Sequence, residues 1–498
     1  MIGSGRTALW LSVAVIVSPV WADSLQLVEA AKDQDLPAVR RLLQQHTDVN
    51  ARQGDGATAL HWAAHWDDQS MTNVLISAGA DVNADDDEGV TPLWLACLNG
   101  SAAVAETLLK KGANPNAALH NGETPLMIAA HTGNVELVKL LLANNAELNT
   151  KEASRGQTAL MRAVAENHTD IVKVLVEKGA DVHARSNTGF TPLLFAAQQG
   201  NIDAARILLE AGADVNETAP DGIGGDTNAR NPFKPNTEAG ALLVAIDSHH
   251  ESMAHFLMDH GADVNQHGAG RTPLHSAVQQ AMPELVKALL AHGADPNARL
   301  ERLMPLLSRY IGQQAGMDTN PLGATPFWLA AEYGDAPMMR ILAADGANPL
   351  LTTKDNTTAL MAAAGVDFIE GQDRYGRRWF QPTTMPLQLG ALEAVKVCIG
   401  SGIDVNALNA NGQRAMHGAA YMGSNIIAQY LFEHGAKLDV QNKLGQTPFY
   451  ITQGVYQAGS FIIRKETGEL LRQLGANTQL GAELGHDGAP PRPRDPRQ

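Results

Sequence analysis

Residues 91–100 read TPLWLACLNG, and residues 124–133, thirty-three positions on, read TPLMIAAHTG. The phrase also opens at Thr58 (TALHWAAH), Thr158 (TALMRAVAEN) and Thr191 (TPLLFAAQQG), so the steps are 33, 33, 34 and 33 residues. Worn or displaced copies begin at Gly240 (GALLVAI), Thr272 (TPLHSAV), Thr325 (TPFWLAA), Thr358 (TALMAAA), Arg414 (RAMHGAA) and Thr447 (TPFYITQ). A copy without those letters fits at Leu25. One small unit repeated at this period cannot bury its apolar face alone, and must stack on its neighbours.

Two positions within the period carry a physical reason. Alanine stands five residues after the start in every copy from Ala30 to Ala419, and only the last differs, with Thr452. A small side chain kept at one helical position means that helices pass close there. Glycine stands twenty-one residues after most starts, as at Gly79, Gly112, Gly179 and Gly435. It ends apolar-periodic runs and reads as a helix C-cap, where φ turns positive. An extended A-D-V-N segment and a polar, glycine-containing turn follow. The next threonine then caps a helix, and proline fits its first turn.

These letters resemble the ankyrin repeat, in which a β-turn finger precedes two antiparallel helices. The resemblance covers about residues 24 to 478, with twelve copies in register. It implies an all-α repeat solenoid, an ankyrin array of helix-turn-helix units with β-turn fingers. Residues 23–57 hold an N-terminal capping repeat, 58–478 the repeats, and 479–498 a Pro/Arg-rich disordered tail. The resemblance also implies a binding scaffold that meets partner proteins through finger tips and the inner helix face, without catalysis of its own.

The first 22 residues stand apart. MIGSGR carries one arginine, TALWLSVAVIV supplies eleven mostly apolar residues, and Val20-Trp21-Ala22 follows a break at Pro19. That order is a Sec-type signal peptide cut after Ala22, because the apolar run falls short of the ~20 residues of a spanning helix. The expectation is a periplasmic or secreted protein with no membrane span in the mature chain. Fifty-three acidic against 37 basic residues give a formal charge of −16. Such a surface repels phosphate, which sets nucleic acid aside as a partner. Two cysteines, Cys97 and Cys398, supply neither a disulfide framework nor a Cys-based zinc site.

Candidate chemistry reduces to worn repeats. HHESMAH, residues 249–255, suggests a zinc protease, but His250 and His255 are five apart, about 140° round a helix. DVNADDDEG at 81–89 alternates oxygen ligands like a calcium loop, yet Asp86 stands where that loop needs glycine. His61 and His65 are four apart, but His61 is the histidine of the TPLH phrase, shared with His275 and His417. No metal, no cofactor and no catalytic residue are expected.

Function in a repeat array concentrates where the period fails. The glycine-to-start interval of 12 grows to 28 after Gly212 and to 32 after Gly293, which enlarges fingers near residues 217–237 and 299–320. The start-to-glycine interval of 21 grows to 44 after Thr358, placing a third insertion near 365–388 between two helices of one repeat. A smaller excess of seven follows Thr447. The third insertion contains DRYGRRWFQP, with Arg374, Tyr375, Arg377, Arg378 and Trp379, a composition typical of interface hot spots. It equally suits a segment that packs on its own repeats. Residues seven and eight after each start look into the concave face and include His65, Trp66, His131, Glu332, Tyr333, Tyr421 and Met422. Together these are the candidate partner-binding residues. The alternative is a ligand-binding receptor or enzyme with a pocket roofed by the insertions, or a secreted host-directed effector.

Overall fold

A computed structural model describes residues 19–219, 238–302, 320–366, 385–457 and 460–480. The chain divides into two compact units, Met1–Phe195 with Arg206–Ala213, and Ala196–Ala205 with Asp214–Gln498. In the first unit the pair Pro19–Lys32 and Leu36–Gln44 is followed by Ala59–His65 with Gln69–Ser77, Pro92–Leu98 with Ala102–Lys110, Pro125–Thr132 with Val135–Ala143, and Ala159–Ala165 with Thr169–Glu177. The second unit repeats the pattern from Ala241–Asp247 with Glu251–Asp259 to Pro448–Thr452 with Lys465–Gln473. Of the proposed leader, residues 1–18 lie outside the described residues, as do tail residues 481–498.

The repeated letters build the helices as their chemistry requires. Thr91 accepts the Trp94 N–H at 3.2 Å and Thr124 the Met127 N–H at 3.3 Å, each capping a first helix whose next residue is proline. Second helices are capped likewise, by Asp68 from Met71 N–H at 2.8 Å and by Asn134 from Leu137 N–H at 3.1 Å. Gly79 takes φ +95° beyond such a helix, and Asn145 takes φ +65° in the copy that lacks the glycine. Ala63, Ala96, Ala129, Ala163, Ala245 and Ala419 are fully buried, which is the close helix approach read from their spacing. Ala30, in the N-terminal copy, is half-buried.

The TPLH histidines join one repeat to the next. His275 Nδ1 accepts the Thr272 N–H at 3.2 Å, while Nε2–H donates to the Ala324 carbonyl at 3.2 Å. His417 does the same between Arg414 N–H and the Gln446 carbonyl, at 3.1 and 3.2 Å. His61 spans Thr58 N–H and the Val90 carbonyl at 3.1 and 3.0 Å. Only a neutral ring protonated on Nε2 satisfies both partners. Trp328 stands at the same register, and its indole N–H reaches the Thr357 carbonyl at 3.1 Å.

A second joint was not read from the sequence. The asparagine of A-D-V-N is more than part of an extended segment. Asn83 accepts Asn114 N–H at 2.7 Å and donates to the Gly112 carbonyl at 3.0 Å. Asn50, Asn116, Asn216, Asn265, Asn297 and Asn406 make the same pair of bonds to the following repeat. Leu350 occupies this register in its copy and is 58% exposed.

The insertions leave the register intact because two of them are pinched at the neck. Thr218 bridges Gly240, and Glu238 N–H donates to the Ala219 carbonyl at 2.5 Å. In the second, Leu300 N–H donates to Ala324 O at 2.9 Å and Gly323 N–H to Leu300 O at 2.7 Å. Arg302 and Glu238, 3.3 Å apart, tie the two necks together. The third insertion ends in helix Met385–Gly400, which has 16 residues where its counterparts have nine. The excess after Thr447 is an antiparallel hairpin, Val455–Gln457 with Ser460–Ile462, the one pair of strands among the described residues of this otherwise all-helical array.

Candidate functional site

The expected contact residues sit where first helices end. In the first unit Trp66 follows Ala59–His65 as its C-cap and is 42% exposed. Trp62, one turn earlier, stacks on it with ring centroids 6.4 Å apart and planes 26° apart. His65 meets both rings edge-on, at 5.7 and 4.7 Å. Both indole donors are engaged, Trp62 Nε1 with Gln53 Oε1 at 3.2 Å and Trp66 Nε1 with the Lys32 carbonyl at 3.1 Å. Lys32 Nζ lies 5.5 Å from the Trp62 ring centroid, a cation–π contact. The result is an aromatic shelf fixed at its polar edges. Trp62 and Lys32 were missed by a reading confined to the last two helical positions, although i, i+4 spacing places Trp62 beside Trp66.

The next repeats extend this surface. Asn99 Nδ2 donates to the His65 carbonyl at 2.6 Å, and Leu98 beside it is 39% exposed. An open groove of about 500 Å³ follows, lined by Leu98, Asn99, Thr132, Asn134 and Glu136 among others. His131 is exposed, with Nδ1 3.3 Å from Glu166 Oε1. In the same repeats Arg162 and Glu123 form a largely buried pair at 2.6 Å.

In the second unit Glu332 and Tyr333 are half-buried at the end of Pro326–Glu332. Tyr421 and Met422, expected on an open face, are only 1% and 6% exposed, which corrects that expectation. The chain leaving Ala359–Ala363 crosses their helix so closely that a Cβ on Gly418 would lie 2.6 Å from Val366 N, and one on Gly365 would lie 2.7 Å from Met422 Cε. Arg464 Nε adds a bond to the Tyr421 carbonyl at 3.0 Å. Arg374, Tyr375, Arg377, Arg378 and Trp379 lie outside the described residues. Arg271 pairs with Asp247 at 2.5 Å and donates to Ser276 at 3.1 Å, a second largely buried pair that the sequence did not flag.

HHESMAH has a structural explanation. His250 precedes helix Glu251–Asp259, and its Nε2 lies 3.0 Å from the Gln198 carbonyl. His168 does the same to the His131 carbonyl at 2.9 Å. Each ring covers a left-handed glycine of the preceding repeat, and a Cβ on Gly200 or Gly133 would lie 2.6 Å from it. His255 is exposed. In DVNADDDEG, Asp86 accepts Glu88 and Val90 N–H at 2.9 and 2.8 Å, the bonds of a finger turn. Among the described residues no group of three or more His, Cys, Asp or Glu is gathered to hold a metal. Among them, too, no helix is long and apolar enough to cross a membrane. Cys97 and Cys398 are buried free thiols, and burial pushes both far above the usual thiol pKa.

Models of ankyrin repeats match residues 27–119, 126–219 and 223–299 (three-copy), 102–142 and 387–431 (many-copy), and 322–354 (single repeat). Ankyrin repeat and SOCS box protein 16 of Mus musculus is 32% identical over 229 residues, 43% of this chain and 47% of that protein. Rabankyrin-5 of Homo sapiens is 28% identical over 187 residues, 37% and 15% of the respective chains. The chain thus spans less than half the length of these relatives. The solved human ASB11 ankyrin repeat domain is 30% identical, with a TM-score of 0.39, covering 47% of this chain and 96% of that one.

Proposed function

Because this chain belongs to the ankyrin-repeat family, matched over more than half its length, we propose that it is an exported scaffold that binds a partner protein and has no catalysis of its own. The observation that carries this reading is the fixed aromatic shelf of Trp62, His65 and Trp66, which ends at the surface in exposed Trp66, in a unit whose core is mostly alanine and aliphatic. Rigid aromatics held at a surface are the side chains that anchor protein interfaces. Exposed His131 and half-buried Glu332 and Tyr333 stand at matching helix ends. Arg377, Arg378 and Trp379 of the third insertion remain candidates on composition. The leader-like first 22 residues support export to the periplasm or beyond.

The test is site-specific photo-crosslinking in the native cell. A cross-linking residue at position 66 or 333 should yield one discrete adduct, and one at exposed Lys173, on a second helix, should not. Equal, diffuse labelling at all three positions would refute the scaffold reading. N-terminal sequencing of the native protein should begin at Asp23, and an intact Met1 would refute export.

A further inference from the structure

We infer that the Trp62–Trp66 shelf takes an extended, arginine-bearing segment of its partner, an inference that rests on the scaffold reading and gives its partner a chemistry. Three observations converge. First, the rings are preorganised, since each indole N–H is already bonded within the chain and only the π-faces and edges remain for a partner. A ring without a free donor attracts cations and apolar groups rather than acceptors. Second, the chain itself places a cation there, because Lys32 Nζ lies 5.5 Å from the Trp62 centroid, while Trp66 is 42% exposed. Third, the stretch of chain that builds the shelf is acidic. Residues 25–90 hold twelve aspartates and glutamates against four lysines and arginines. Asp67 adjoins Trp66 and is exposed, and exposed Asp33 follows the residue whose carbonyl anchors the Trp66 indole.

Arginine fits these features better than lysine. Its planar guanidinium stacks flat on an indole while its N–H groups stay free for carboxylates, whereas an ammonium is a strongly hydrated point charge. Beyond the shelf the surface continues past exposed Leu98 into the groove lined by Asn99, Thr132 and Glu136. That geometry suits a segment in extended conformation, with side chains alternately on the surface and away from it.

The experiment uses the full chain and two probes, octa-arginine and octa-lysine, by calorimetry at about 0.15 M salt, where exposed charges beyond roughly 8 Å are screened. Octa-arginine should bind about five- to tenfold more tightly than octa-lysine, the size of a cation–π contact. Trp66→Leu should abolish that preference while leaving weak binding of both peptides. Asp67→Asn, at a left-handed position where asparagine is at home (φ +52°), should weaken both peptides alike. Equal affinity for the two peptides in the parent chain, or an unchanged preference in Trp66→Leu, would overturn the inference. Trp66→Phe keeps a stacking face, so it should keep the preference even if Trp66→Leu unfolds, and its loss in a folded Trp66→Phe chain would be equally fatal. A natural partner that binds Trp66→Leu with parental affinity would sink this inference and leave the scaffold reading standing.

Discussion

Lowering the pH from 7.5 to 5 should destabilise this array through two buried histidines, and the size of the effect follows from their surroundings. Burial holds His275 and His417 down to about 4, against 6.5 for a free side chain, and the carbonyls of Ala324 and Gln446 only partly offset it. His61 is shifted in the same direction by the same cause. A proton on Nδ1 would face the backbone N–H of Thr272 or Arg414, which needs that nitrogen as an acceptor. The sign is therefore fixed. Above pH 6.5 the folded and unfolded rings are both neutral and the joints contribute fully. Between 6.5 and about 4 only the unfolded chain takes up the protons, so stability falls as the pH falls.

Each of the two rings should cost about 2 kcal/mol by pH 5, so the pair removes about 4 kcal/mol. Urea unfolding followed by far-ultraviolet dichroism at pH 7.5, 6.5, 5.8 and 5 measures this directly. His275→Gln is the control, because glutamine at this position of a capping box still accepts the N-cap N–H and carries no titrating group. Its midpoint at pH 7.5 should fall, from loss of the Ala324 bond, and its pH dependence should shrink by roughly half. A midpoint flat from 7.5 to 5, or a variant with the parental pH slope, would refute the neutral-ring argument.

Four further outcomes test the joints between repeats. Asn265→Ala removes bonds to Asp295 N–H and the Gly293 carbonyl and should cost about 1–2 kcal/mol in urea unfolding, with faster hydrogen exchange at Asp295. Leu350→Asn should instead raise stability by about 0.5–1 kcal/mol by restoring the absent rung, and a loss would show that Leu350 has a packing role. Gly200→Ala should cost about 1–3 kcal/mol, and combining it with His250→Ala should recover the steric part, a coupling that a double-mutant cycle reads. Equimolar zinc should not shift the melting temperature, and a rise abolished by His250→Ala would restore the metalloenzyme reading of HHESMAH.

Much of the fold was legible because its determinants are local and recur. A threonine that caps, a proline that fits the first turn and a residue that must take positive φ each act within a few positions, so one copy reveals what all do. The asparagine joint escaped because both its partners lie on the next repeat, about thirty residues away, as Asn83 with Gly112 and Asn114 shows. Asparagine between an extended segment and a turn looks like ordinary turn chemistry. The available signal was register, since asparagine four residues beyond the C-cap glycine recurs at Asn83, Asn216, Asn265 and Asn406.

The binding surface was legible only where the period is unbroken. Reading positions seven and eight as open assumes that nothing crosses the first helix, which holds for Trp66 and His131 and fails for Tyr421 and Met422. The failure had a signature. Four residues after the start, where other copies carry Trp62, Leu95 or Ile128, the Arg414 copy has Gly418, and its neighbour has Gly365 just beyond the end of its first helix. Two missing side chains at facing positions mark a place where backbone approaches backbone, and the absent Cβ of Gly418 would lie 2.6 Å from Val366 N. The chain at Gly365 and Val366, where the first helix of that repeat has ended, therefore lies against the first helix of the next repeat. A large residue beside such a glycine should therefore be assigned to the core, and the search for contact residues moved to the copies that keep a side chain four residues after the start.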